Sequence, residues 1–136
     1  EVDDRGLTAA VGDFVEREDL AERVVISSFN ALCLFRLAAA FPHLRRGYLI
    51  DPDKSFTLHA EVLSRFVSGY SVHPGKEDCS AERVAQWHAQ GLKVAVWTVD
   101  DAEQARRLRD DGVDLLITNR PKAIRSALAR QSGSTA

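Results

Sequence analysis

Lys93-Val94-Ala95-Val96-Trp97-Thr98-Val99 is an almost unbroken run of β-branched and apolar residues, and Asp114-Leu115-Leu116-Ile117-Thr118 is a second. Neither alternates polar with apolar, which is the pattern of a strand covered on both faces. Between them Ala102, Ala105 and Leu108 recur at helical intervals, and Gly112 ends the segment. Asp100 and Glu103 have the three-residue spacing of a capping box, so Asp100 reads as the N-cap of this helix. Strand, helix and strand in that order predict a β-α-β unit with parallel strands.

The same alternation continues toward the N-terminus. RVVISS at residues 23–28, GYLI at 47–50 and a weaker GYSV at 69–72 read as further strands. Strand starts fall roughly 21 to 24 residues apart, room for one crossover helix each. Asn30 is placed to cap a helix with Leu34, Leu37, Ala38 and Phe41 on one face, and Pro42 follows it. Ser80 caps another, with Ala81, Val84, Ala85 and His88 on one face and Gly91 as a left-handed exit. Pro121 opens a last helix through Ala123, Ile124, Ala127 and Leu128. Residues 7–15 and 58–67 read as two more helices. The whole is an α/β pattern with a mainly parallel sheet.

Composition narrows the function classes. With 18 basic against 20 acidic side chains the net charge is −2, which leaves no basic footprint for nucleic acid. No apolar run is long enough for a transmembrane helix, and no signal or lipidation motif stands out. Cys33 and Cys79 form neither a disulfide framework nor a CxxC pair, so they read as thiols of a reducing, cytoplasmic compartment. The 136 residues predict one domain over residues 1–130 and a disordered tail at 131–136. The chain contains no Met and starts at Glu1, which reads as a processed chain, a trimmed one or a fragment.

In parallel sheets ligands meet the carboxyl ends of the strands. Phe29 follows the first strand and either packs under its loop or lines a pocket. Trp97 ends the strongest strand and is either a ligand-facing wall or a core tryptophan with its N–H satisfied. Trp87, within a helix, reads as packing. Arg120, at the end of the last strand and the start of the last helix, offers a bidentate grip for phosphate or is a solvated loop residue. Ser27 and Ser28 lack a nucleophile elbow and read as turn residues. Asp51 and Asp53 are a candidate cation pair or an ordinary Asp-Pro turn. His43, His59, His73 and His88 have no zinc spacing, though His73 lies at a strand end within reach of a substrate.

Five stretches in order, VVISSFN at 24–30, RGYLI at 46–50, VHP at 72–74, GLKVAVWTV at 91–99 and GVDLLITNRP at 112–121, resemble the C-terminal half of the glycerophosphodiester phosphodiesterase family. The resemblance implies the C-terminal half of a (β/α)8 TIM-type barrel that cleaves glycerophosphodiesters to glycerol 3-phosphate and an alcohol. It implies a divalent cation, calcium or magnesium, and two histidines as general acid and base. Such a cation stabilises charge on the phosphoryl transition state. Carried onto this chain, it makes Phe29 and Trp97 substrate-pocket walls and Glu1 a metal ligand. The family's His-Arg-Gly, Glu-x-Asp and His-Asp motifs have no match here, and Thr118-Asn119 stands where the family often has Thr-Asp.

The expectation is therefore a half-barrel whose catalytic histidines and most metal ligands lie elsewhere, inactive in isolation and completed by a missing N-terminal half. An alternative is a non-catalytic half-barrel that pairs with itself as an assembly module. A third is a small open α/β ligand-binding module.

Overall fold

The computed structural model describes residues 5–51 and 69–129. Its elements run α1 (Arg5–Arg17), β1 (Ile26–Ser28), α2 (Ala31–Ala40), β2 (Arg46–Leu49), β3 (Gly69–His73), a 3-10 turn (Lys76–Asp78), α3 (Ala81–Ala89), β4 (Lys93–Val96), α4 (Ala102–Asp110), β5 (Leu115–Leu116) and α5 (Pro121–Ala129). The strands are ordered β1-β2-β3-β4-β5, so each follows its sequence neighbour across the sheet. This is the parallel α/β architecture expected from the alternating runs. The helix expected at 58–67 and the tail at 131–136 lie outside the described residues.

The chain forms two compact units, Glu1–Val72 and His73–Ala136. In the first, β1 pairs parallel with β2, Ile26 opposite Arg46 and Ser28 opposite Tyr48. Val15 of α1, Leu37 of α2, Phe41 and Leu44 form a buried cluster, with Leu20, Ala21, Val24 and Ile26 packed against it. Asn30 caps α2 as expected, its side chain accepting from the Leu32 N–H at 3.0 Å. The Phe41 N–H donates to Leu37 O at 2.8 Å and closes the same helix. Gly12 permits the approach of α1 to this cluster, because a Cβ there would collide with the edge of the Phe41 ring.

In the second unit β4 pairs parallel with β5, Ala95 opposite Leu115 and Val96 opposite Leu116. Val94, Ala95 and Val96 are all buried, as an unalternating run requires. Val84, Trp87, Val99, Ala105, Leu108, Ile124 and Ala127 complete the core. Each fully buried Val or Leu side chain contributes about 1.5–3 kcal/mol over an exposed one. Ser80 caps α3, and Gly91 exits it at φ 79, a conformation open to glycine.

Two helix details differ from the sequence reading. The buried face of α3 carries Val84 and Trp87, while Ala85 and His88 are exposed. The indole has more apolar surface to bury than an imidazole, so it takes the inward position. The N-cap of α4 is Asp101, whose carboxylate accepts from the Gln104 N–H at 2.8 Å, and not Asp100. Asp100 has other partners, described next.

Candidate functional site

The carboxyl end of β4 is tied to the segment after β3. Trp97 N–H donates to Pro74 O at 3.2 Å, and Trp97 O accepts from the Lys76 N–H at 2.9 Å. The indole Nε1 donates to His73 O at 2.8 Å. The indole donor is satisfied inside the protein, as the core reading of Trp97 has it, and the residue is only partly buried. What it can offer a ligand is the face or edge of its ring. His73 itself is buried, and burial lowers its pKa, which favours the neutral imidazole.

The carboxyl end of β5 is held by Asp100. One carboxylate oxygen accepts from Thr118 Oγ1 at 2.9 Å and from the Asn119 N–H at 2.8 Å, and the other accepts from Asn119 Nδ2 at 2.9 Å. Thr118 Oγ1 in turn accepts from the Arg120 N–H at 2.9 Å. Hydrogen bonds from the Asn119 side chain and backbone, then from Thr118, hold the Asp100 carboxyl below its usual range, with the nearby Arg120 charge adding to them. Arg120 O accepts the Ile124 N–H at 3.1 Å, so Arg120 stands at the first turn of α5 with its side chain exposed. Trp97 and Arg120 therefore sit on two neighbouring strand ends linked through Asp100.

In the first unit, Phe29 follows β1 with 50% of its surface exposed, so it is not packed under its loop. Ser28 Oγ accepts from the Asn30 N–H at 3.0 Å, the turn role expected of that serine. Glu1 and Asp53 lie outside the described residues.

At the opposite, amino ends of β4 and β5 is a cluster that the motif reading did not find. Asp114 accepts from Lys93 Nζ at 2.7 Å, from the Val94 N–H at 2.9 Å, and faces His88 Nε2 at 2.8 Å. Burial pushes the Asp114 carboxyl up, but the bonds from Lys93, Val94 and His88 outweigh it and bring the pKa to about 2. Lys93 and Asp114 open adjacent parallel strands, a signal visible once those strands are placed side by side. His43 pairs with Glu16 at 3.1 Å on the surface of the first unit.

A divalent cation needs converging oxygen or nitrogen donors. Among the described residues no group of three His, Cys, Asp or Glu is placed to hold one. The described part of this chain does not by itself fit the cation that the family resemblance implies.

The model of the Glycerophosphoryl diester phosphodiesterase family matches residues 4–123. The chain belongs to this family. A glycerophosphodiester phosphodiesterase of Caldanaerobacter subterraneus subsp. tengcongensis is 32% identical over 119 residues, covering 88% of this chain and 47% of that protein. A crystal structure from Silicibacter pomeroyi, named as a candidate glycerophosphoryl diester phosphodiesterase, superposes with a TM-score of 0.84 at 28% identity, covering 97% of this chain and 46% of that one. An Oleispira antarctica phosphodiesterase, solved in complex with the product sn-glycerol-3-phosphate, superposes at 0.77 with 25% identity, covering 93% and 50% respectively. The chain thus spans about half the length of the glycerophosphodiester phosphodiesterase relatives it matches. Their fold is the (β/α)8 barrel, and the five ordered strands described here correspond to about half of it.

Proposed function

We propose that this chain is the C-terminal half-barrel of a metal-dependent glycerophosphodiester phosphodiesterase that releases glycerol 3-phosphate and an alcohol. The observation that carries this reading is the family match across residues 4–123, which includes both strand ends described above. The 32% identical relative and the product bound in the Oleispira enzyme support the substrate class.

In this reading Arg120 holds the phosphate. Its guanidinium supplies paired donors beside the N-terminus of α5, and such charge-assisted bonds are worth about 1.5–3 kcal/mol each. Trp97 and Phe29 supply apolar walls for the glycerol and alcohol parts, Trp97 through its ring because its N–H is committed to His73 O. Asp100 keeps the Thr118–Arg120 segment in place by accepting three hydrogen bonds, and the Arg120 N–H donates a fourth within the segment to Thr118 Oγ1. General acid, general base and the main cation ligands come from the complementary half, with Glu1 as the donor assigned to this one. A cytoplasmic setting completes the reading; Cys79 is a buried thiol whose burial raises its pKa to about 11.

The test compares the chain alone with the chain joined to the unmatched half of the Caldanaerobacter relative. Each is incubated with glycerophosphocholine and calcium, and glycerol 3-phosphate is measured. The joined protein releases it and the chain alone does not. A joined protein that folds, binds calcium and releases none overturns the reading.

A further inference from the structure

We propose that Lys76 is a specificity residue: its ammonium receives an anionic group carried by the alcohol part of the diester, so the preferred substrates are glycerophosphodiesters of an acidic alcohol. The inference rests on the half-barrel reading above and adds the substrate class.

Lys76 opens the 3-10 turn that follows β3. Its N–H donates to Trp97 O at 2.9 Å, and Gly75 bridges Trp97 in parallel register. Backbone bonds therefore fix Lys76 beside the end of β4, at the carboxyl ends of the strands, where parallel sheets meet ligands. Arg120 stands on the other flank, past the end of β5. The order β3-β4-β5 puts two strand spacings, about 10 Å, between the two backbones, with the Trp97 strand end in the middle. The Trp97 indole reaches toward β3, donating to His73 O, so its ring lies on the Lys76 side of β4.

Among the described residues neither Lys76 nor Arg120 has an ion pair or a hydrogen bond from its side chain. Other cations of this unit are committed: Lys93 to Asp114, Arg109 to Asp110, and Arg83 to Asp78 O and the Trp87 ring. The two acids that follow Lys76 do not take its charge. Asp78 has its Oδ2 buried, and Glu77 is exposed without an ion pair among the described residues. Lys76 itself is partly buried, and a lysine in that setting covers its stem while its ammonium stays in water.

The two cations differ in kind. A guanidinium is a planar fork that suits two oxygens of one phosphate, whereas an ammonium is a compact charge with three rotatable donors. With Arg120 on the phosphate and the Trp97 ring beside the alcohol, an anion that reaches Lys76 lies past the tryptophan and so belongs to the alcohol. An alcohol with only a positive charge meets repulsion at the same place.

Glycerophosphoserine and glycerophosphoethanolamine differ by one carboxylate and serve as the probes. Each is titrated into this chain at low salt, with binding read from the magnetic resonance shifts of the Gly75 and Lys76 amides and the Trp97 indole. Each is also offered to the joined barrel, and glycerol 3-phosphate is measured. The serine diester should bind and react roughly three- to tenfold better. Lys76→Gln should abolish this preference by weakening the serine diester alone, and Lys76→Arg should keep most of it. Lys122→Gln removes an exposed cation from the first turn of α5 and should leave the preference intact. No preference in the parent chain, equal weakening of both diesters by Lys76→Gln, or the same loss from Lys122→Gln overturns the proposal. A joined barrel that hydrolyses neither diester, while the chain still selects the serine diester through Lys76, sustains the specificity site and removes the proposed activity, so the two failures are separable.

Discussion

Asn119 donates to Asp100 twice, from its backbone N–H at 2.8 Å and from its side-chain amide at 2.9 Å. The pair works because one partner is a carboxylate and the other a carboxamide. Asn119→Asp would place two carboxylates in contact, and like charges at that range cannot both ionise freely. We expect this variant to melt below the parent at neutral pH. The gap should narrow near pH 3, where one of the two takes a proton. Paired thermal melts at the two pH values check it; a gap independent of pH would show that charge is not the cause.

Asp114 has a carboxyl held at about 2, against an ordinary value of 3.8. A lowered folded-state pKa adds stability that is complete above the unfolded value and is lost as pH falls through the folded one. Acid unfolding should therefore draw on Asp114 between about pH 4 and pH 2. Allowing for solvent screening at this partly exposed site, Asp114→Asn should cost on the order of 1–2 kcal/mol at neutral pH, and less below pH 3. Urea melts across that range measure both quantities.

His73 is buried with its pKa lowered by burial, so the folded protein prefers it neutral. The unfolded chain then binds more protons, and stability falls as pH drops below about 6.5. His73→Gln should flatten the stability profile on the acid side of pH 6.5. Equilibrium unfolding at several pH values within that window reads the slope directly.

Gly12 faces the Phe41 ring with no room for a Cβ. Gly12→Ala should destabilise the first unit by about 1–3 kcal/mol through overpacking, despite alanine's better helix propensity. Phe41→Leu combined with it should recover part of the loss, and a double-mutant cycle measures the coupling.

Arg120→Ala in the joined barrel should raise KM for glycerophosphocholine roughly tenfold or more if the guanidinium grips the phosphate in both ground and transition states. Steady-state kinetics check this. An unchanged KM would return Arg120 to the role of a solvated loop residue.

The strands and caps were legible in sequence because they depend on local pattern. Unalternating apolar runs marked β4 and β5, Asn30 and Ser80 capped their helices, and Gly91 took the left-handed exit. The misreadings came from competition over distance. Asp100 and Glu103 had capping-box spacing, but the donors of Thr118 and Asn119 claimed Asp100 and left Asp101 to cap α4. His88 occupied a predicted core position, but Trp87 was buried instead and His88 turned to Asp114. At the candidate site, Trp97 and Arg120 were singled out by strand-end positions, which is where the structure has them. The carboxylate between their two strand ends became visible only once β4 and β5 were laid side by side.

The ladder between β4 and β5 is short, since β5 is only two residues long. Yet an aspartate fastens it at each extremity, Asp114 at one and Asp100 at the other. Fraying normally begins at the last rung of a small ladder, and here both last rungs are clamped. Opening this strand pair must therefore break side-chain clamps together with backbone rungs, which makes it a single cooperative event. Amide protons of Val94, Ile117 and Asn119 should then trade with deuterium at a common rate, instead of in order of their distance from the strand tips.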